Sequence, residues 1–354
     1  MLILAINPGS TSTKFSVYNG ENEILEEVLR HSSEEISKYS NIIEQLEFRK
    51  KVILDSLKEN KINLNNLSAI VGRGGLLRPL TGGTYEVNDN MLTDLKSGKY
   101  GEHASNLGAI IAYEIAKEYN IPSYIVDPVV VDEMTDIARL SGHPKLVRKS
   151  IFHALNQKAV ARKVAKEMGK KYEELNMIVV HLGGGISVGL HQNGRVVDVN
   201  NALDGDGPFT PERAGSLPAG GLAKLCFSGE YNLGQVKKLL KGKGGLVAYL
   251  DSNDGREVCK RINEGDEKAL LVYKAMAYQI AKEIGGLAAG CKGETDAIVI
   301  TGGLAYDKEY LMPWVTKAVE FIAPVKIVPG EMEMEALALG ALRVLNKEED
   351  VNVY

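Results

Sequence analysis

Apolar residues along this chain come in short runs that stop at glycine, separated by stretches where they recur at helical spacing. Residues 2–6 (LILAI) predict a buried strand. A Ser/Thr-rich turn follows, then a strand through Phe15, Val17 and Tyr18. Asn19-Gly20 is a strong two-residue hairpin signal, so a third strand through Ile24 and Leu25 should pair back. Over 41–59, Ile43, Leu46, Ile53 and Leu57 share one face of a helix. Residues 68–72 predict a strand ending in Arg73-Gly74-Gly75, and 104–119 a helix burying Leu107, Ile111, Ile115 and Ala116. Pro122 opens a strand that ends at Asp127. Further helices are predicted over 154–169, over 267–289 and from about Glu333 to Asn346.

The second half restarts the first. Met177 to Gly183 (MIVVHLG) echoes Ile3 to Gly9 (ILAINPG), and His181 stands 174 residues after Asn7. The same offset carries Asn19-Gly20 onto Asn193-Gly194. Strand, glycine turn, strand, Asn-Gly turn and third strand thus occur twice in one register, which points to duplication. A third strand and turn stands at Ala297 to Gly303.

Composition narrows the class. A length of 354 residues suggests about two domains. With 44% hydrophobic and 25% charged residues the chain is not a disordered one. A net charge of −4 argues against a nucleic-acid binder. Three cysteines without a C-x-x-C fit a reduced, cytoplasmic protein rather than a disulfide or zinc scaffold. The first apolar run is too short for a signal peptide, and none approaches the ~18 residues of a membrane helix.

The 37 glycines, about one residue in ten, gather at strand ends. Three turns result: Asn7-Pro-Gly9-Ser10-Thr11-Ser12-Thr13-Lys14, His181-Leu-Gly183-Gly184-Gly185, and Thr301-Gly302-Gly303. Such turns bare backbone N–H groups with no Cβ in the way, which suits phosphate oxygens. The hydroxyls of residues 10–13 add donors and Lys14 adds charge. Neither a G-x-x-x-x-G-K-[ST] nor a G-x-G-x-x-G after the first strand is present, which disfavours Walker-type and dinucleotide sites. Duplicated turns plus a third imply a triphosphate held between two lobes.

The β-hairpin phosphate turn with duplicated halves resembles the superfamily of sugar kinases, Hsp70 and actin. Within it, Asn7 to Lys14 resembles the first signature of the carboxylate (acetate) kinases, the acetokinase family. The segments 101–106 (GEHASN), 151–157 (IFHALNQ) and 204–213 (DGDGPFTPER) look most like its butyrate kinase branch. The resemblance runs nearly end to end. It implies an α/β fold of two ribonuclease-H-like, actin-like lobes with mixed sheets and an ATP cleft between them. Residues 1–148 plus 335–354 are expected to form the first lobe and 149–334 the second.

The implied reaction moves the γ-phosphoryl of ATP onto a short-chain fatty acid, giving an acyl phosphate and ADP. A carboxylate is already nucleophilic at pH 7, so the obstacle is bringing one anion to another. By resemblance, Arg73 and His103 contact the carboxylate substrate, with Phe152 lining its pocket. His153 stabilises the phosphoryl in flight, and Arg213 stands for the family's second arginine in a departing local sequence. His181 and Asn7 serve the phosphates from the two lobes, and Thr301-Gly302-Gly303 the adenosine side. Asn7, Asp127 and Glu333 are expected near Mg²⁺, with Glu331 and Glu335 as alternatives in register. Asp204-Gly-Asp206 reads as a cleft turn or a plain loop. Each has a bland reading too: a paired structural arginine, a packed histidine, a helix-capping aspartate, an acidic helix start. Acetate kinases carry a second histidine where this chain has Gln157. His31, His143 and His191 read as surface or structural. The resemblance also implies a homodimer or larger even oligomer. The alternatives are an acetate or propionate kinase, a sugar kinase, or a nucleotide-gated binder of Hsp70 or actin type. The last would need a partner-binding domain for which little chain remains, and a sugar kinase would need a base for a hydroxyl acceptor.

Overall fold

Alternating short apolar runs and helices fold here into two sheets with the same wiring. The computed structural model describes residues 1–203 and 205–354, so Asp204 of the acidic turn lies outside the described residues. Two compact units result: Met1–Val131 with Met332–Tyr354, and Asp132–Glu331.

In the first unit, β1 (Leu2–Pro8), β2 (Ser12–Asn19) and β3 (Asn22–Arg30) form an antiparallel meander. Beside β1, β4 (Leu67–Gly72) pairs parallel, followed by β6 (Ser123–Val126), also parallel. β5 (Thr84–Glu86) and, near the C-terminus, β12 (Asn352–Val353) extend the sheet, giving the order β12-β5-β6-β4-β1-β2-β3. Leu4, Ile6, Phe15, Val17 and Ile70 of the sheet bury against Ile53, Leu57, Ile110 and Ile111 of the helices Leu46–Glu59 and Asn106–Tyr119. The helix Asn106–Tyr119 starts tight against the end of β4. A Cβ on Gly72 would lie 2.1 Å from the Gly108 carbonyl, and one on Gly108 would lie 2.5 Å from that of Arg73.

The second unit repeats the plan. β7 (Asn176–Leu182), β8 (Ile186–Gln192) and β9 (Arg195–Val199) form the meander, and β10 (Ala297–Gly302) and β11 (Val325–Pro329) continue parallel to β7. The order β11-β10-β7-β8-β9 matches β6-β4-β1-β2-β3. The long helix Glu267–Gly290 packs Tyr273, Met276, Ile280 and Ile284 onto Ile178, Val180, Val188 and Ile300.

The repeat is not perfect at the hairpin tips. Gln192 pairs with Arg195, so Asn193 and Gly194 are both central, with φ of 51° and 78°. Positive φ at both is the I′ geometry that Asn-Gly favours. In the first unit Asn19 pairs with Asn22, and Gly20-Glu21 are central instead. The same dipeptide therefore turns one residue out of step, and the register shifts in the two meanders are offset likewise.

The sequence reading puts 132–148 in the first lobe; these residues pack with the second unit. The cause is the polar edge of β9. The amide of Thr135 donates to the Val197 carbonyl (3.0 Å), that of Val196 to Glu133 (2.7 Å), and Arg148 bonds Asp198 (2.9 Å). Conversely Glu333, read into the second lobe, belongs to the first unit.

The tight helix–strand contact gives a test. Gly72→Ala forces backbone atoms apart and is expected to destabilise the protein by about 1–3 kcal/mol. Gly286→Ala lies in open space inside the helix Glu267–Gly290 and should be neutral or stabilising by up to about 1 kcal/mol. Urea unfolding midpoints of the two variants check the pair.

Candidate active site

In the first unit, the amide of Gly9 donates to the Ser12 carbonyl (2.8 Å) and closes the three-residue turn between β1 and β2. Ser10 and Thr11 are exposed at its tip. Asn7, 9% exposed, is the last residue but one of the buried stretch of β1. Its Nδ2 donates to Oε2 of Glu333 (2.7 Å) and its Oδ1 accepts from Nη1 of Arg73 (3.2 Å). Arg73 closes the triangle: Nη1 reaches Oε2 of Glu333 at 3.1 Å and Nη2 reaches Oε1 at 3.0 Å. This fork on a carboxylate is the geometry arginine favours. Arg73 is delivered there by its own backbone, whose N–H donates to the Ile6 carbonyl (2.8 Å) one step beyond the β1–β4 ladder. Its side chain remains 35% exposed.

Of the three glutamates near the last helix, Glu333 is the one against Asn7 and Arg73. Glu331 instead stands 3.8 Å from Nε2 of His181, in the second unit. Lys14 forms an ion pair with Glu26 across the hairpin at 2.8 Å. Asp127 ends β6 with φ of 37°, unusual for a non-glycine residue. It is 1% exposed, its Oδ1 accepts from the Gly83 amide (2.7 Å), and its own N–H donates to the Gly83 carbonyl (3.1 Å). Asp127 thus clamps the turn before β5. His103 is exposed, and its Nδ1 accepts from the Ser105 amide (3.2 Å). Asn106 ties that loop down, accepting from the Leu76 amide (2.8 Å) and donating to the Gly101 carbonyl (2.9 Å).

In the second unit, His153 caps the helix Ala154–Glu167 and stacks on His181, with ring centroids 3.7 Å apart and planes at 10°. Nδ1 of His181 donates to Oδ1 of Asn156 (2.8 Å), which leaves Nε2 over the glycine turn. A Cβ on Gly183 would stand 3.2 Å from it. The Gly183 amide bonds the Gly185 carbonyl (3.0 Å), and Thr210 Oγ1 holds the Gly184 carbonyl (2.6 Å). Arg213 lies flat against this turn: a Cβ on Gly185 would meet its Nη1 at 2.1 Å. Its Nη1 also donates to the Ala202 carbonyl, its Nε is buried without a partner, and burial lowers its pKa. Phe152 is buried beside His153 at 2% exposure. Thr301 is fully buried, and its hydroxyl donates to the Gly330 carbonyl (3.0 Å). Gly302, with φ of 94°, has the Leu182 carbonyl 2.4 Å from where a Cβ would be, so only glycine fits there. No group of three or more His, Cys, Asp or Glu able to hold a metal occurs among the described residues.

Two neighbours of the histidine pair were not anticipated. Ser187 Oγ lies 2.9 Å from Nδ1 of His153, and Asn156 orients His181. Ser187 stands 174 residues after Thr13, so the repeat itself carried the signal. Gln157, in place of the family's second histidine, donates to the Ser187 carbonyl (3.0 Å) and hydroxyl (2.8 Å). Its Oε1 accepts from Nε2 of His191 (3.0 Å), whose Nδ1 meets the Tyr172 hydroxyl (2.7 Å).

Each of the two sheets thus ends its first strand in a glycine turn, with Arg73 and Glu333 at the strand end in the first unit and the histidine pair and Arg213 in the second. Residues 136–327 match the model of the acetokinase family. The chain is 58% identical over 352 residues to butyrate kinase 2 of Clostridium acetobutylicum, covering 99% of each. Among solved structures it is similar to the Porphyromonas gingivalis acetate kinase, with a TM-score of 0.79 at 19% identity over 97% of this chain and 99% of that one. A propionate kinase from Francisella tularensis gives 0.72 at 18% identity over 95% and 98%. Those structures show the fold. The chain belongs to the acetokinase family.

The buried chain behind His153 sets a pH dependence. His191 is fully buried, and burial holds its pKa well below 6.5, with Lys158 and Arg162 adding to the effect. The unfolded chain takes up that proton near pH 6.5 and the folded one does not, so stability present above pH 6.5 is lost as pH falls. The slope contributed is up to about 1.4 kcal/mol per pH unit. His31, also lowered by burial, acts in the same sense. Thermal midpoints between about pH 7.5 and 5.5 should fall less steeply for His191→Gln than for the native chain.

Proposed function

We propose that this protein transfers the γ-phosphoryl group of ATP to the carboxylate of a short-chain fatty acid, reversibly, giving an acyl phosphate and ADP. The acceptor is a four-carbon acid such as butyrate or isobutyrate. The observation that carries this reading is the 58% identity to a butyrate kinase over almost the whole chain. The structure adds a partly exposed arginine held at a strand end by an amide and a carboxylate.

The chemistry follows from charge. Arg73 takes the incoming carboxylate and offsets its repulsion from the phosphoryl oxygens. Glu333 and Asn7 hold the guanidinium in place until then. In the second unit, the Gly183–Gly185 turn offers backbone N–H groups to phosphate, with Arg213 adding fixed charge beside it. His153 is the donor to phosphoryl oxygens, through its Nε2–H, while His181, whose Nδ1–H is spent on Asn156, donates from Nε2 only as an imidazolium. His181 is oriented by Asn156, and His153 by Ser187 and, through it, Gln157. Transfer needs no strong base, because the nucleophile is already ionised.

The oxygens of Asn7 and Glu333 are of the type Mg²⁺ takes, and they would hold it only by giving up the contacts they make with Arg73. When bound it neutralises charge on the β- and γ-phosphates. Asp127, already engaged by Gly83, steadies the strand end beside this group. The same reading carries a cytoplasmic homodimer or larger even oligomer. No helix among the described residues is long and apolar enough to cross a membrane.

Incubation with MgATP, hydroxylamine and straight or branched acids of two to six carbons should yield hydroxamate, peaking at four or five carbons. ATP hydrolysis with no hydroxamate from any acid would discard the carboxylate reading. Arg73→Ala should raise the KM for the acid by about 100-fold, the worth of a lost charge-assisted contact, with the KM for ATP little changed. Equal loss for both substrates would contradict the role given to Arg73.

A further inference from the structure

The phosphate turn of the first unit rests on a buried cation that the reaction as described does not use. Arg49 lies in the first turn of the helix Leu46–Glu59 and is 0% exposed. Its Nη2 donates to the Ser10 carbonyl (3.2 Å). Its Nη1 donates to the Ser12 carbonyl (2.9 Å) and the Thr13 hydroxyl (3.0 Å). Its Nε is taken by Oε1 of Gln45 (3.0 Å). Three of its four contacts are therefore with the turn. No carboxylate pairs with it among the described residues. Burial lowers its pKa to about 10, so the group stays charged at neutral pH. The titratable ring beside it, His31, shares a hydrogen bond with Thr13 (2.8 Å) and is held toward its neutral form by burial and by Arg49 itself. Glu35 acts on that ring in the opposite sense.

A buried charge without a counter-ion is costly, and placing a cation at the positive end of a helix adds to the cost. The geometry shows what offsets it. Across a trans peptide the carbonyl and the next N–H point in opposite directions. Arg49 draws the Ser10 carbonyl inward, and the His31 amide takes the Thr11 carbonyl (2.9 Å). The N–H of Thr11 is thereby turned away from the guanidinium, and that of Ser12 away from β3. The turn presents the Thr11 donor with an unbalanced positive charge beneath it. That arrangement is built for an anion.

We propose that Arg49 is a positioning residue for the phosphate turn: it fixes residues 10–13 with the Thr11 amide facing away from it, and its missing counter-charge is the polyphosphate of the nucleotide. The inference rests on the nucleotide reading above. Its mark is selectivity for the phosphate part of the ligand, which a purely structural arginine would not show.

Binding of ATP, inorganic tripolyphosphate and adenosine is measured by calorimetry for the native chain, Arg49→Met and Arg49→Lys, with the acid KM and thermal midpoint alongside. R49M is expected to weaken ATP and tripolyphosphate alike by about 10- to 100-fold, as loss of charged hydrogen bonds would. Adenosine affinity and the acid KM should stay unchanged. R49K keeps the charge but not the fork, and should recover part of the loss; if R49M does not fold, R49K alone shows a smaller loss of the same selectivity. Native affinity for ATP and tripolyphosphate in a variant with a lowered midpoint would overturn the role of Arg49 and leave the kinase reading intact. Equal weakening of adenosine would overturn it too. Failure of the native chain to bind ATP would overturn both.

Discussion

The parallel pairing of β1 with β4 is the constraint on which the cluster of Asn7, Arg73 and Glu333 depends. It places the ends of two buried strands side by side, so that Arg73 follows β4 at the level of Asn7 in β1. A guanidinium and an amide brought together in this way need an acceptor, and Glu333 supplies it. The glycines at 72 and 108 serve the same end. They let a helix start directly against β4, so the loop carrying His103 and Asn106 is anchored next to Arg73 rather than left to wander.

Much of this was legible in the sequence, because the signals were local. Apolar runs ending in glycine marked β1, β4, β7 and β10. The 174-residue offset anticipated the repeated three-strand meander, β1-β2-β3 and β7-β8-β9, since a repeated hydrophobic pattern has to bury its faces in the same way twice. What stayed hidden was settled by partners distant in the chain. The short strands β5 and β12 carry no periodicity of their own; β5 exists because β6 offers an edge, and β12 because β5 then offers another. Residues 132–148 look like the tail of the first lobe until the backbone of β9 claims Thr135 and Arg148. Arg49, in an ordinary amphipathic helix, gives no hint from spacing that its head group lies beneath a turn 37 residues earlier.

The two halves have diverged while keeping one device. Thr13 and Ser187, equivalent in the repeat, are both fully buried hydroxyls just past a glycine turn, and each bonds a histidine. In the first unit the charged group behind the hydroxyl is Arg49. In the second it is the neutral Gln157, where acetate kinases carry histidine, and the neutral His191 beyond it. One half holds its turn with a net charge and the other with a neutral network, with Arg213 laid on the outside instead. Electrostatically the copies are no longer interchangeable, although their strands are.

The triangle of Asn7, Arg73 and Glu333 joins positions 326 and 260 residues apart along the chain. On the ribosome, Asn7 and Arg73 emerge long before Glu333 is made. The second unit can be complete by then, since Asp132–Glu331 all precede it. The nascent chain therefore carries Arg73 without this carboxylate partner for 260 residues, and the triangle cannot close before translation passes residue 333. A chain ending before residue 333 would hold all five strands of the second sheet but lack both the carboxylate that grips Arg73 and the helix Glu333–Leu345 that packs on the first.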